Sequence, residues 1–278
     1  MRSNKNFQIT VVETRHWRVL IAILILLMSS PFLIQAQTIT RPCPTPKSVK
    51  LSFTGEVYVL TESNEVLQLD TLGKTIRRYS PNPPMNFESL HFTNQWQLFL
   101  FSPESQQIVY LDRFLVPINR YDLPFDLGYV RLAAPSADQT IWFWSETDRT
   151  IIRYDPLRFE ELIRINLNTF NFSDTENYIP QLEEFQNVLH FSYGGYFLFD
   201  ALGNLLEKQV VETATNYQVM EEKVLGFSVE KQEFTGFDFK SRTKLQSPST
   251  DSTRHFIFGL KDKRRTWLWD AKNLYIFK

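Results

Sequence analysis

The chain has 278 residues, of which 43% are apolar and 41 are aromatic, but it has only 9 glycines and one cysteine. This apolar content is enough for a packed core and excludes an intrinsically disordered chain. One cysteine and 4 histidines are too few for a disulfide-stapled miniprotein or a zinc-finger architecture. Glycine is used at less than half of the roughly 7% that is average for proteins.

The first 36 residues have the pattern of a secretory signal peptide. Four basic side chains precede an unbroken apolar run, Val19 to Met28, and Ala36 supplies a small residue for cleavage. The stretch from Val19 to Ala36 also reaches the lower length limit for crossing a bilayer, so an uncleaved anchor is the alternative. The sequence therefore predicts export to the periplasm, the cell envelope or the outer surface, with membrane contact through this segment if it is uncleaved.

The net charge of the chain argues against nucleic acid as a partner. Without residues 1–36 the chain has 26 basic and 30 acidic residues, a formal charge of −4. No basic excess remains to bind nucleic acid. Residues 37–47 are predicted to be an extended lead-in. Within it, Cys43 follows Arg41 and Pro42, which do not fit a lipoprotein acceptor site.

A repeat runs through the rest of the chain. Four apolar strands each end at an aspartate, and the aspartates recur at spacings of 42, 43 and 45 residues: Asp70, Asp112, Asp155 and Asp200. Each of these strands is preceded by another rich in β-branched and aromatic residues, such as Ile141 to Trp144, and is followed by a third. A further strand opens each unit, at residues 49–53, 89–92, 129–132, 181–185, 217–220 and 254–258.

Six units of four short strands, roughly 40 residues each, are typical of propeller blades. The last unit stops at its third strand, and Thr38 to Thr40 is predicted to supply the fourth, which removes an exposed sheet edge. The predicted fold is therefore all-β. It is a six-bladed β-propeller of four-stranded blades over residues 48–278, closed by the mature N-terminus supplying a strand to the last blade.

Units one and four carry a more detailed motif. In unit one, the strand Gly55 to Leu60 is followed by a polar turn, by the strand that ends at Asp70, and by Leu72-Gly-Lys74. In unit four, Ala201 to Asn204 repeats this turn after Asp200. These segments resemble blades of the NHL-type and TolB-like six-bladed β-propellers. The resemblance implies the six-bladed architecture for the whole mature chain.

The recurring aspartates are interpreted as turn residues. Asp accepts hydrogen bonds from the backbone amides of a following turn, and Gly73 and Gly203 lie three residues later, where a left-handed backbone is needed. Four equivalent carboxylates could also suggest metal or acid–base chemistry, but their position at the start of a turn favours the structural role.

The two ends of a propeller present different loops. The end with the crossovers between blades is predicted to be acidic and to carry a binding surface of loop aromatics; the alternative is that these side chains fold back over the blades as plugs. The candidate binding residues are Phe87, Phe125, Phe170, Phe172, Asp174 and Tyr178. The opposite end is predicted to be basic, forming either solvated hairpins or a contact with an anionic membrane surface or an acidic partner.

The inner strands are predicted to line a central channel of mixed charge. Its candidate residues are Lys50, His91, Arg131, Glu184, Glu222 and His255. We expect these groups to pair with each other and with water, although they could hold a small zwitterion or a metal. His190 is predicted to be a buried core histidine. No catalytic set, metal site or cofactor is predicted, because no nucleophile has an acid–base partner at a suggestive spacing.

The sequence thus favours a non-enzymatic exported propeller that acts as a protein-binding or scaffold module in the cell envelope, with another envelope protein as its partner. The alternative is a propeller hydrolase, lyase or carbohydrate-binding module that uses the mouth of the channel. Both functional hypotheses depend on analogy with the fold.

Overall fold

A computed structural model of the protein describes residues 38–170, 180–193, 195–209, 216–220, 223–248, 251 and 253–277. The predicted signal peptide lies outside these residues. Six antiparallel sheets of four strands each confirm the predicted all-β, six-bladed propeller. Among the described residues, no helix is long and apolar enough to cross a membrane.

The strands of the first three blades follow one another along the chain. Blade one is β2 to β5: Pro46–Leu51, Val57–Thr61, Val66–Leu69 and Thr75–Tyr79. Blade two is β6 to β9: Ser89–Asn94, Gln97–Ser102, Gln107–Asp112 and Pro117–Asp122. Blade three is β10 to β13: Leu132–Pro135, Ile141–Ser145, Thr150–Asp155 and Glu160–Asn166. Short 3-10 helices, Phe125–Leu127 and Leu167–Thr169, lie in the crossovers that follow blades two and three.

Blades four and five repeat the pattern, and blade six joins the two ends of the described chain. Blade four is β14 to β17: Gln181–Phe185, Val188–Ser192, Tyr196–Phe199 and Leu205–Gln209. Blade five is β18 to β21: Tyr217–Met220, Lys223–Ser228, Glu233–Asp238 and Thr243–Pro248. Blade six is β22 to β24 with β1: Phe258–Lys261, Thr266–Trp269, Asn273–Phe277 and Ile39–Pro42. Strand β1 pairs with β24, with Ile39 opposite Ile276.

Because neighbouring strands alternate in direction, every blade has two kinds of end. Hairpins between the first and second strands and between the third and fourth strands lie at one end, called here the hairpin end. Turns between the second and third strands and the crossovers to the next blade lie at the other, called the crossover end. Ile39 pairs near the last residue of β24, so β1 begins at the hairpin end.

The core lies between blades. Successive residues of a strand point to opposite faces, so Val57 and Val59 pack against blade six while Tyr58 and Leu60 pack against blade two. Each of the six hydrophobic clusters joins two neighbouring blades, including blades six and one. The strand aromatics supply much of this core: Trp142, Phe143, Trp144, Phe197 and Phe199 are all buried. The abundance of aromatic residues is therefore chiefly structural.

Two inner strands begin later than the sequence predicted. In blade three the strand starts at Leu132 rather than Tyr129, and in blade six it starts at Phe258 rather than Arg254. The residues before them belong to crossovers in which Val130 and Phe256 are completely buried. An apolar residue inserted between blades at the end of a crossover gives the same alternating pattern as the start of a strand.

Candidate functional site

A central channel is bordered by residues of all six blades. Its cavity has a volume of about 410 Å³. The wall includes β2 and β6 from the first two blades, Arg131 and Leu132 from the third, β14 from the fourth, Asn216 and Tyr217 from the fifth, and Ile257 and Phe258 from the sixth. The inner strands of the ring thus converge on one polar cavity.

Several charged groups on this wall form ion pairs. The Lys50 Nζ lies 2.6 Å from Glu183 Oε2, which links blades one and four across the channel. Lys47 Nζ lies 2.8 Å from Glu88 Oε1 and donates a 3.0 Å hydrogen bond to Asn86 Oδ1. The partly buried ion pairs neutralise charges that would otherwise be costly to bring away from water.

Two buried histidines lie close to this network and are held neutral. Burial and the nearby charge of Lys50 lower the pKa of His91 well below 6.5. The same two causes lower the pKa of His190 to about 4. His190 Nδ1 lies 2.9 Å from the Tyr196 hydroxyl, so it is a hydrogen-bonded core histidine as predicted. At neutral pH neither imidazole is charged, so neither can act as an imidazolium acid.

Three of the predicted channel residues border the cavity: Lys50, His91 and Arg131. Glu184 does not. Its carboxylate accepts hydrogen bonds from the Trp142 indole at 2.6 Å and from the Ala137 amide at 3.3 Å. Glu183 faces the channel instead, because a strand shifted by one residue presents the opposite face. The predicted channel residue Glu184 is thus replaced by its neighbour Glu183.

The other two predicted channel residues do not extend the site. His255 is exposed in the crossover before β22 and is absent from the cavity wall. Its predicted position depended on the early start assigned to that strand. Glu222 lies outside the described residues. In the part of the chain that the structure describes, no three histidine, cysteine, aspartate or glutamate side chains come together as a metal site.

Phe87 was a candidate binding residue of the crossover end, but it is completely buried between blades one and two. The Phe87 amide donates to the Asn64 side chain in the preceding turn at 3.2 Å. Gln106 holds Val130 in the same way, and Gln232 holds Phe256. Phe87, like Val130 and Phe256, is therefore a buried crossover residue whose backbone amide is hydrogen-bonded to a preceding turn. It is not an exposed binding residue. An amide side chain 23 or 24 residues before an apolar crossover residue is the signal that sequence reasoning missed.

The remaining loop aromatics divide between exposed and packed positions. Phe125 projects from the 3-10 helix Phe125–Leu127 with its whole side chain exposed. Phe170 is half-buried and contacts Phe199 edge to face, with ring centroids 5.6 Å apart. Phe172, Asp174 and Tyr178 lie outside the described residues. Phe125 is thus the exposed member of the predicted set that the structure describes.

Aspartates cap the hairpins between third and fourth strands. Asp70 Oδ1 accepts from the amides of Leu72 and Lys74, at 2.8 and 2.9 Å. Asp112 and Asp200 accept from the equivalent two amides. Asp155 and Asp238 accept from the amides two and three residues later. The left-handed residue is Gly73, with φ 74°, in blade one and Gly203, with φ 84°, in blade four. The predicted turn role of these carboxylates is confirmed.

The sequence matches no protein family model and no curated protein. Solved structures are similar in fold. Virginiamycin B lyase from Staphylococcus aureus aligns with a TM-score of 0.58 and 10% identity over 87% of this chain and 99% of that one. A streptogramin B lyase aligns with a TM-score of 0.52 and 13% identity over 83% and 78%. The Pan2 WD40 domain from Neurospora crassa aligns with a TM-score of 0.57 and 9% identity over 84% and 89%.

At such low identity the similarity shows the fold alone, which is a six-bladed β-propeller in this chain. Propellers of this kind serve unrelated functions, so the fold does not carry an activity with it. The narrower resemblance to NHL-type and TolB-like propellers stays a prediction.

Proposed function

We propose that this protein is a non-enzymatic exported propeller that binds another protein of the cell envelope through its crossover end. The observation that carries the proposal is the complete exposure of the Phe125 ring. Exposed aromatic side chains on a rigid scaffold are enriched at the centres of protein interfaces, where they gain most from leaving water. Tyr129, four residues later in the same crossover, is also 49% exposed.

The surroundings of Phe125 indicate the chemistry of the partner. Asp126 follows it directly and is exposed. The Asp148 carboxylate lies against Gly128, which ends the 3-10 helix with φ 68°. Further exposed acidic side chains occupy turns at this end: Glu62, Glu104 and Glu146. An aromatic centre with an acidic rim favours a partner that presents a basic rim around an apolar pocket.

Export is supported by the N-terminal sequence, whose basic residues and apolar run are typical of a signal peptide. The paired charges of the channel support a non-enzymatic role, because Lys50 and Glu183 satisfy each other. Neither is left as a free acid or base beside the cavity.

The test is co-purification of partners from the envelope fraction with wild type and with Phe125→Ala/Tyr129→Ala. We expect the variant to lose at least one specific partner. The matched control is Val116→Ala/Phe159→Ala, which removes comparably exposed apolar side chains from the hairpin end. The same partners on wild type and on the Phe125→Ala/Tyr129→Ala variant would contradict the proposal.

A second candidate function uses the channel mouth as a small-molecule, carbohydrate or substrate site of a hydrolase or lyase. The observation favouring it is the cavity of about 410 Å³, which lies within the size range of ligand pockets. A Lys50→Met/Glu183→Leu variant removes the charged pair from this wall. A ligand that raises the melting temperature of wild type but not of that variant would establish this second function.

A further inference from the structure

Exposed apolar residues repeat at equivalent places on four consecutive blades. Two residues after each turn aspartate, at the tip of the hairpin, an apolar side chain projects into solvent: Leu72, Phe114, Leu157 and Leu202. Their exposed fractions are 42%, 45%, 74% and 74%. Phe114 contacts the guanidinium groups of Arg77 and Arg113, whereas most of the Leu157 and Leu202 side chains is left in solvent.

The same four blades expose a second apolar residue just beyond the tip. The pairing of the third and fourth strands shifts at a β-bulge near the start of the fourth strand in each of these blades. The extra residue of the bulge is always apolar and exposed: Ile76, Ile118, Leu162 and Leu206. A bulge aims its extra side chain away from the regular ladder. The tips and bulges together form what we call the apolar arc.

Two hairpins nearer the axis extend the arc. Phe53 is 81% exposed between the first two strands of blade one, and Trp96 is 58% exposed in the equivalent hairpin of blade two. The Arg113 guanidinium lies 4.4 Å from the Trp96 ring centroid and 4.6 Å from that of Phe114. The inner and outer hairpins of blade two therefore form one continuous aromatic and cationic surface.

Blades five and six carry positive charge in place of the arc. The tip equivalent to Leu72 is Lys240 in blade five, and Arg242 follows it. The first hairpin of blade six presents Lys263 and Arg264, both exposed. In blade five the pairing of the last two strands runs without a bulge. The hairpin end is thus divided into an apolar sector and a basic sector.

We propose that the hairpin end rests on the surface of an anionic lipid bilayer, with the apolar arc inserted between headgroups and the basic sector contacting lipid phosphates. The tips occupy equivalent positions on four successive blades, at the same end of the propeller. A lipid surface can contact several such points together, whereas a protein partner would need a matching series of pockets. Apolar and aromatic side chains beside Lys and Arg are the composition of interfacial membrane anchors. This inference does not depend on the partner proposed for the crossover end.

The first experiment measures contact directly through Trp96. The full chain is mixed with vesicles of phosphatidylcholine and phosphatidylglycerol that contain brominated acyl chains, which quench tryptophan on contact. The signal of Trp96 is isolated as the difference between wild type and Trp96→Phe, so the other tryptophans cancel. We expect Trp96 to be quenched and its emission to shift to shorter wavelength.

The second experiment measures vesicle binding with Leu72→Gln/Phe114→Gln/Leu157→Gln/Leu202→Gln, and all variants keep the same residues 1–37. We expect binding or Trp96 quenching to fall about tenfold or more relative to wild type, because interfacial affinity scales with inserted apolar area. The matched control is Phe125→Gln/Tyr129→Gln at the crossover end, which should behave as wild type. Vesicles of phosphatidylcholine alone should bind less than the anionic mixture.

Three outcomes would overturn the proposal. Trp96 could stay unquenched on vesicles that hold the protein, the four-tip variant could match wild type in both measurements, or an envelope protein could bind the hairpin end in wild type and be lost in the four-tip variant without vesicle contact. The last result would assign the apolar arc to a protein partner.

Discussion

We predict that acidification from pH 7 to pH 5 destabilises the propeller through its two buried histidines. His91 and His190 are each 8% exposed. Burial and the charge of Lys50 lower the pKa of both below 6.5. Unfolding moves each imidazole into water, where it gains a proton in this pH range. Acid therefore favours the unfolded chain.

The size of the effect follows from His190. Its pKa is about 4 in the folded protein and 6.5 as a reference for the unfolded chain. Because the folded value is the lower one, the folded protein binds fewer protons. Stability is then complete above about pH 6.5 and declines as the pH falls toward 4. Between pH 7 and pH 5 this one group removes about 2 kcal/mol from the free energy of unfolding. His91 acts in the same direction.

The assay is urea unfolding at pH 7 and pH 5, followed by the fluorescence of buried tryptophans such as Trp144 and Trp269. We expect wild type to lose stability at pH 5, and His91→Gln/His190→Gln to lose much less. Burial alone raises the pKa of Asp138, but hydrogen bonds from Thr140 and Arg153 lower it to about 2, so this carboxylate stays ionised from pH 7 to pH 5. An equal loss of stability in wild type and the double variant would refute the reasoning.

Three further predictions concern the hairpins and the blade interfaces, all measured by urea unfolding. Gly203→Ala should destabilise by about 2 kcal/mol or more, because φ is +84° and the new Cβ would lie 2.9 Å from Ile163. Asp112→Ala should cost about 1 to 2 kcal/mol through the loss of two backbone hydrogen bonds, whereas exposed Asp126→Ala should be nearly neutral. Glu184→Ala should cost about 2 kcal/mol, since it leaves the buried Trp142 indole N–H without its acceptor. A neutral result in any of the three would contradict the corresponding contact.

The fold could be predicted from the sequence because the strands and turns of each blade are specified by residues close together in the chain. An alternating apolar strand ending at an aspartate, as at Asp70 or Asp200, specifies the third strand and the following hairpin together. Six such units have few ways to bury both faces of every sheet, and a closed ring is the one that leaves no exposed interface. Local pattern and global architecture therefore agree.

The candidate site was harder to predict because it depends on one-residue differences. Glu183 and Glu184 are chemically identical, and only the register of β14 decides which one faces the channel. Phe87 lies in a crossover loop, but it is buried, and its backbone amide is held by the side chain of Asn64, which lies 23 residues earlier in the chain. Such non-local contacts leave no signature in a window of a few residues.

The scarcity of glycine has a structural explanation in the capped hairpins. At Gly73 and Gly203 a Cβ atom would lie 2.9 Å from an isoleucine of the neighbouring blade, so a larger residue would clash there. In other blades the left-handed position is occupied by Leu115, Phe159 or Arg242, with φ between 55° and 65° across all three. The aspartate cap holds these turns through two amides and offsets the strain of a side chain there. The cap thus holds the turn with glycine in blades one and four and without it in blades two and three, and the tip residue is apolar and exposed in all four.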